Sequence, residues 1–408
     1  SGGTSTSWRG NSVNYIQEYF KKFPQIKKNF CQKDISINNN KFFFNSARSA
    51  IAFVLNELCT NKNEKVIVSA FTCDALTFAI TIAGKVPFFV DVNADLTMEE
   101  NNIKEALKCN PAAIIIQNSF GRLGVSHSFI KKLQKTGVFV IIDNSLSVGS
   151  SINGKDLSDF GDVSVWTYEC TKTFTLGGGG VLKINNKNIL NLTKVKFENL
   201  CKVNPFEDLR KLLQMYLSIK IQEKGGISHL GPVIWYLCYF LGLFRSSSSQ
   251  NKLSYKSVKK MGKYSFLFLM FCDKRIEKIY QVTMSNVNFL TKHLIKRRLD
   301  TPIISKQNEK IVSPRVVFFV KKCNIQKLLD LSYKHKIELG RWFTNVPPKL
   351  PNKTVTYYSL INAQSLSKVV FNLPAYWSLT KIELKNLINL IDEIGELESN
   401  DNIKSKVK

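Results

Sequence analysis

Between residues 42 and 184 the chain alternates short runs rich in Val, Ile and Phe with stretches whose apolar residues recur at helical spacing. The apolar runs are 65–68, 86–90, 112–117, 138–142, 163–167 and 180–184, and the helix-like stretches are 49–58, 74–83, 99–107 and 129–135. Runs this short, bounded by Gly, Pro and Asn, suit strands buried on both faces, which is the condition of a parallel sheet. Their alternation with helices predicts an α/β fold with a mainly parallel sheet covered on both sides. In such sheets ligands gather at the carboxyl ends of the strands, so the residues just after each run are where chemistry is expected.

Beyond residue 200 the pattern changes. Basic helical segments flank an apolar stretch, 229–244, followed by Arg245 and four serines. The stretch is shorter than the about 20 residues of a membrane-spanning helix. It reads either as a helix buried at a subunit interface or as one lying in a membrane surface, with basic flanks on anionic headgroups. Residues 246–250 read as a loop. A long helix is expected over 264–299, then strands at 315–320 and 368–373, helices at 325–335 and 381–394, and a frayed polar tail over 396–408. The 408 residues exceed one simple core. The expected division is an N-terminal arm (1–41, with Ser1–Gly3 read as the scar of a cleaved tag), a large lobe (42–199), a basic and apolar insertion (200–263) and a smaller C-terminal α+β lobe (264–408).

Charge narrows the partners. Fifty-eight Lys and Arg against thirty-one Asp and Glu give +27, which attracts anionic membranes, phosphorylated substrates or nucleic acid. The lysines are spread along the chain beside many asparagines, and no compact Arg-rich block or aromatic-basic motif supports a nucleic-acid reader. Nine cysteines without a CxxC pair and four histidines without a ligand pattern argue against a metal site. No secretory h-region occupies the first forty residues, so the expectation is a cytoplasmic protein with reduced thiols.

Three strand ends carry suggestive groups. Phe44-Asn45-Ser46-Ala47-Arg48-Ser49-Ala50 leads small residues straight into a helix, whose free N–H groups and dipole can hold a phosphate. The run 138–142 is followed by Asp143, Asn144 and Ser145; a buried carboxylate there can keep a pyridine nitrogen protonated. After the run 163–167, Lys172 sits in a turn before Gly177–Gly180. A pocket lysine can form an imine, and glycines let backbone approach a ligand closely.

In order and spacing these pieces resemble the DegT/DnrJ/EryC1/StrS group of pyridoxal 5′-phosphate (PLP)-dependent sugar aminotransferases. The matching residues are Ser46-Ala-Arg-Ser-Ala-Ile51, Ala70-Phe-Thr-Cys-Asp-Ala75, Phe89-Val-Asp-Val92, Ile142-Asp143, Phe160-Gly-Asp162 through Lys172 to the glycines, and Phe371-Asn-Leu-Pro-Ala-Tyr-Trp-Ser-Leu-Thr380. The resemblance implies a fold-type I PLP-dependent transferase working as a homodimer. It makes Lys172 the Schiff-base lysine and Asp143 the partner of the pyridine nitrogen. Thr167, Ala47, Arg48 and Ser49 surround the phosphate, and Cys73 and Ser145 complete the cofactor contacts. It also implies an amino-acid donor, usually glutamate, and a keto-sugar acceptor, nucleotide-linked or lipid-linked, in surface polysaccharide biosynthesis. Peripheral contact with the cytoplasmic face of a membrane would come from the insertion. Three features depart from the family: Leu146 replaces a His or Gln, Cys73 stands where many members stack an aromatic, and the segment that sends an Asn to the neighbouring subunit is not recognisable. A non-catalytic scaffold or regulator of the same fold is the competing reading.

Overall fold

The computed structural model describes residues 37–59, 63–169, 171–223, 254–321, 323–348 and 359–404, together with isolated positions 19, 21, 22, 61, 237, 240, 356 and 357. The strands along the chain are β1 (Ile37–Asn38), β2 (Lys41–Phe44), β3 (Lys65–Ser69), β4 (Val86–Val90), β5 (Ala113–Gln117), β6 (Phe139–Asp143), β7 (Ser151–Ile152), β8 (Lys155–Asp156), β9 (Val163–Thr167), β10 (Gly180–Ile184), β11 (Glu309–Lys310), β12 (Arg315–Phe319), β13 (Thr356–Tyr357) and β14 (Val370–Pro374). The helices are α1 (Ala47–Phe53), α2 (Asp74–Ile82), α3 (Glu100–Leu107), α4 (His127–Lys135), α5 (Leu190–Glu198), α6 (Pro205–Glu223), α7 (Lys263–Lys296), α8 (Ile325–Lys334), α9 (Ile361–Val369) and α10 (Lys381–Lys404).

A nine-stranded sheet in the order β1-β2-β10-β9-β6-β5-β3-β4-β13 forms the centre. From β9 to β13 every neighbouring pair is parallel, as expected from the alternating pattern. The other end of the sheet is antiparallel, β10 against β9 and β2, and β1 against β2. A parallel neighbour needs a crossover, usually a helix. The described part of 168–179 contains none and instead turns the chain directly back.

Successive strand residues face opposite sides, so each strand feeds two cores. Val66, Val68, Ile115 and Ile141 join the cluster under α1 and α2, whereas Ile67, Ile114, Ile116 and Ile142 join the one under α3 and α4. The first helix begins two residues earlier than its pattern suggested because Ser46 caps it, accepting from Ser49 N at 3.1 Å. Its continuation, Val54–Leu58, is a π-type turn.

The long helix α7 and the pair β12–β14 arise as the spacing predicted, with one shift: Lys368 and Val369 belong to α9, and the strand starts at Val370. The final helix extends past 394 to Lys404, so a frayed tail from 396 does not hold. Thr380 and Glu383 form a reciprocal capping box at its start. Further along, Glu398 accepts from Lys321 N and Cys323 N at 3.3 and 3.0 Å, which docks the later turns. The apolar stretch 229–244 and the loop 246–250 lie outside the described residues except for Leu237 and Phe240, which are 50% and 78% exposed. Among the described residues no helix is long and apolar enough to cross a membrane.

The C-terminal part is tied to the large sheet by strand β13 beside β4 and by one carboxylate. Asp91, just past β4, is buried and accepts from Asn362 N at 2.9 Å and Ala363 N at 2.8 Å, capping α9 from a distant part of the chain. Because a lost cap costs about 1–2 kcal/mol, Asp91→Ala is expected to lower the urea midpoint of unfolding accordingly. Asp91→Asn, which keeps one acceptor, should fall in between.

Candidate active site

The carboxyl ends of β3, β5, β6 and β9 converge with the start of α1. Asp143 is the last residue of β6, between Gln117 of β5 and Val165 of β9, and is 7% exposed. Its Oδ1 accepts from Ser145 N at 2.9 Å. Burial pushes the Asp143 pKa up, while the hydrogen bonds from Ser145 and the nearby charge of Lys172 pull it down. Cys73, at the cap of α2, senses the same two groups: burial raises its thiol, Lys172 lowers it and Asp143 raises it further. Lys172, Asp143 and Cys73 therefore share one electrostatic neighbourhood, as the sequence grouped them.

Lys172 lies in the turn after β9, where its N–H donates to Glu169 O at 3.1 Å. Buried Phe174 and Leu176 pin this turn to the body of the protein. The glycines that follow are required by geometry. Gly177 and Gly179 have φ of 73° and 103°, in the left-handed region that side chains avoid. A Cβ on Gly180 would stand 2.2 Å from Ala47 N, so the loop runs directly over the first turn of α1. The glycine loop thus meets Ser46 and Ala47 at the start of the helix that carries Arg48 and Ser49, the turn where the phosphate contacts were expected. Burial lowers the Arg48 pKa, with Cys73 and Glu169 acting in the opposite direction.

Thr167 points its hydroxyl inward rather than outward: Oγ1 donates to Gly179 O at 2.9 Å and accepts from Glu169 N at 3.2 Å. A phosphate contact from Thr167 requires exchange of that first bond. Leu146, the departure noted in the sequence, is buried in the cluster under α1 and α2. It acts as packing at a position where the resemblance led one to expect a polar side chain.

Several site residues had no signal in the sequence. Gln117 ends β5 and is held by Thr72, whose hydroxyl donates to its Oε1, and by its own donation to Ser119 Oγ at 2.8 Å. Trp342 and Phe343, about 170 residues beyond Lys172, come close to these groups: Lys172 Nζ is 5.8 Å from the Trp342 ring centre, and Phe343 meets Phe71 edge-on at 5.5 Å. Only the cluster of a basic and two aromatic side chains at Arg341-Trp342-Phe343 could have hinted at this.

The residues present suit PLP. A buried carboxylate with a hydroxyl-bearing neighbour can receive a pyridinium, a lysine lies within its field, and a cradle too tight for a Cβ sits on a capped helix start. The architecture is that of the fold-type I PLP-dependent transferases. The aminotransferase TlmJ from Streptoalloteichus hindustanus has this fold with a TM-score of 0.69 and 13% identity, covering 95% of this chain and 96% of that one. Helicobacter pylori PseC, an aminotransferase involved in the biosynthesis of pseudoaminic acid, gives 0.65 and 14% over 94% and 95%. Residues 17–207 match the sequence model of the DegT/DnrJ/EryC1/StrS aminotransferase family. The GDP-perosamine synthase of Escherichia coli O157:H7 is 28% identical over 185 residues, 45% of this chain and 48% of that protein. The chain thus spans about half the length of the relatives it matches.

The raised pKa of Asp143 has a consequence for the cofactor-free protein. A carboxyl whose folded pKa exceeds its unfolded one binds its proton more tightly when folded, so it costs stability as the pH rises above its ordinary value of 3.8. Without PLP, Asp143→Asn is expected to melt at a higher temperature than wild type at pH about 7. The advantage should vanish as the pH falls below 3.8, which paired thermal melts across pH would show.

Proposed function

We propose that this protein is a PLP-dependent aminotransferase that moves an amino group from an amino acid, with glutamate the expected donor, to a keto sugar. The observation that carries this reading is the meeting of Lys172 with the buried Asp143 at the carboxyl edge of the sheet, beside a helix start closed by glycine backbone. When bound, PLP supplies an electron sink for the negative charge that develops at the donor's Cα. Asp143 would hold the ring nitrogen in its protonated form, favoured because the ion pair offsets the carboxylate's burial. Ala47, Arg48 and Ser49 would receive the phosphate, with Ser145 keeping Asp143 oriented. Lys172 would anchor the cofactor covalently and, once released, move the donor's Cα proton as general base and acid.

The match to the family model and the names of its relatives support a sugar acceptor, and the +27 charge favours one carrying phosphates, nucleotide-linked or lipid-linked. Retention of both Lys172 and Asp143, with the lysine's charge acting on the carboxylate, speaks for catalysis over the scaffold reading. A homodimer and peripheral contact with the cytoplasmic face of a membrane complete the proposal. Exposed Leu237 and Phe240 are what support the membrane contact.

The test is covalent trapping. Protein incubated with PLP and then with borohydride is expected to carry the reduced adduct on Lys172, located by peptide mass spectrometry. Lys172→Ala should lose the adduct and at least about 10²-fold in transamination rate. An adduct of undiminished yield in Lys172→Ala overturns the assignment. An absorption spectrum that responds to no amino donor would favour the scaffold.

A further inference from the structure

Arg315 opens β12 and is 1% exposed, the largest fully buried side chain among the described residues. Its Nη2 lies 3.0 Å from Glu338 Oε1, and its Nη1 donates to Asn372 Oδ1 at 3.2 Å. Gly340 makes room for this grouping, since a Cβ there would stand 2.2 Å from Asn372 Oδ1 and 2.8 Å from Arg315 Nη1. Gly340 and Asn372 also exchange both backbone hydrogen bonds at 2.8 Å. The segment carrying Trp342 is therefore fixed two residues before the indole.

The guanidinium carbon of Arg315 is 4.8 Å from the Trp342 ring centre, and Lys172 Nζ is 5.8 Å from that same centre. One ring thus serves two cations, the first rigid and buried, the second at the end of a flexible stem in the proposed catalytic turn. One residue further, Phe343 rests on Phe71, two positions before Cys73. The Trp342-Phe343 pair consequently touches both turns that bring Lys172 and Cys73 to the site.

We propose that Trp342 is a positioning residue for Lys172, a reading that rests on the role given to that lysine above. The negative face of the indole attracts an ammonium within about 6 Å. A lysine has four rotatable carbons over which to wander, and the ring gives its charge one resting place when it is not bonded to the cofactor. Arg315 holds the ring still by packing against it. Lys172 lies in a turn that leaves the sheet and Trp342 in the C-terminal part, so the lysine's placement depends on how the 340–343 segment sits against that turn.

The contact is tested on cofactor-free full-length protein by limited reductive methylation with formaldehyde and cyanoborohydride. Modification of Lys172 is measured by peptide mass spectrometry against exposed Lys155, whose ammonium lies over a different ring, Phe160. Trp342→Leu, which removes the ring face, is expected to raise the Lys172 to Lys155 ratio about threefold. Trp342→Phe, which keeps a face, should hold the ratio near wild type. An unchanged ratio in Trp342→Leu overturns the proposal, as does an equal rise in Trp342→Phe or a parallel rise at Lys155. Failure of the protein to take up PLP would overturn the functional reading instead, and this ratio, measured without cofactor, would be unaffected by it.

Discussion

A carboxylate at the end of a fully buried strand is expensive to keep ionised, and the site is arranged around that cost. Asp143 follows Val140, Ile141 and Ile142 with parallel neighbours on both sides and is itself buried at the sheet's carboxyl edge. Desolvation raises its pKa, and only Ser145 and the field of Lys172 counter it. Such a group is poorly accommodated in the empty protein and well accommodated beside a cationic ring. The strand order, the tight return through the glycines and the start of α1 all place further groups around that one carboxylate.

Much of this was legible in the sequence because it is local. The apolar runs marked six of the strands to within a residue or so, and the small residues from Ser46 to Ala50 marked the helix that starts beside the pocket. Lys172 and Asp143 were recognisable because each follows a strand, where ligands collect. The direction of β10 was not foreseen, since a glycine loop and a crossover can both join two apolar runs and only the missing helix tells them apart. Thr167 carried a hydroxyl in the expected place, but whether its proton faces a ligand or Gly179 O depends on loop backbone geometry that residue types do not specify.

What stayed invisible is long-range. Trp342 reaches Lys172, and Asp91 caps a helix some 270 residues away, through contacts set by how the C-terminal part folds back. Nothing in the periodicity near residue 91 or 342 announces a partner at that distance. The end of α10 was misjudged for the same reason: its polar composition suggests fraying, yet Glu398 is held by backbone N–H groups from the far side of β12.

The glycine loop lying against α1 has one further consequence, for anyone wishing to re-engineer this pocket. With Gly180 in contact with Ala47 N, neither backbone can gain an atom without displacing the other. A side chain at Gly180 would therefore shift the helix start, so the proposed phosphate end of the pocket cannot be retuned at that position. Variation has to enter through side chains that extend beyond this contact, Arg48 and Ser49 on the helix or Cys73 across the pocket. In this region the backbone behaves as fixed hardware, and the side chains around it are what selection can adjust.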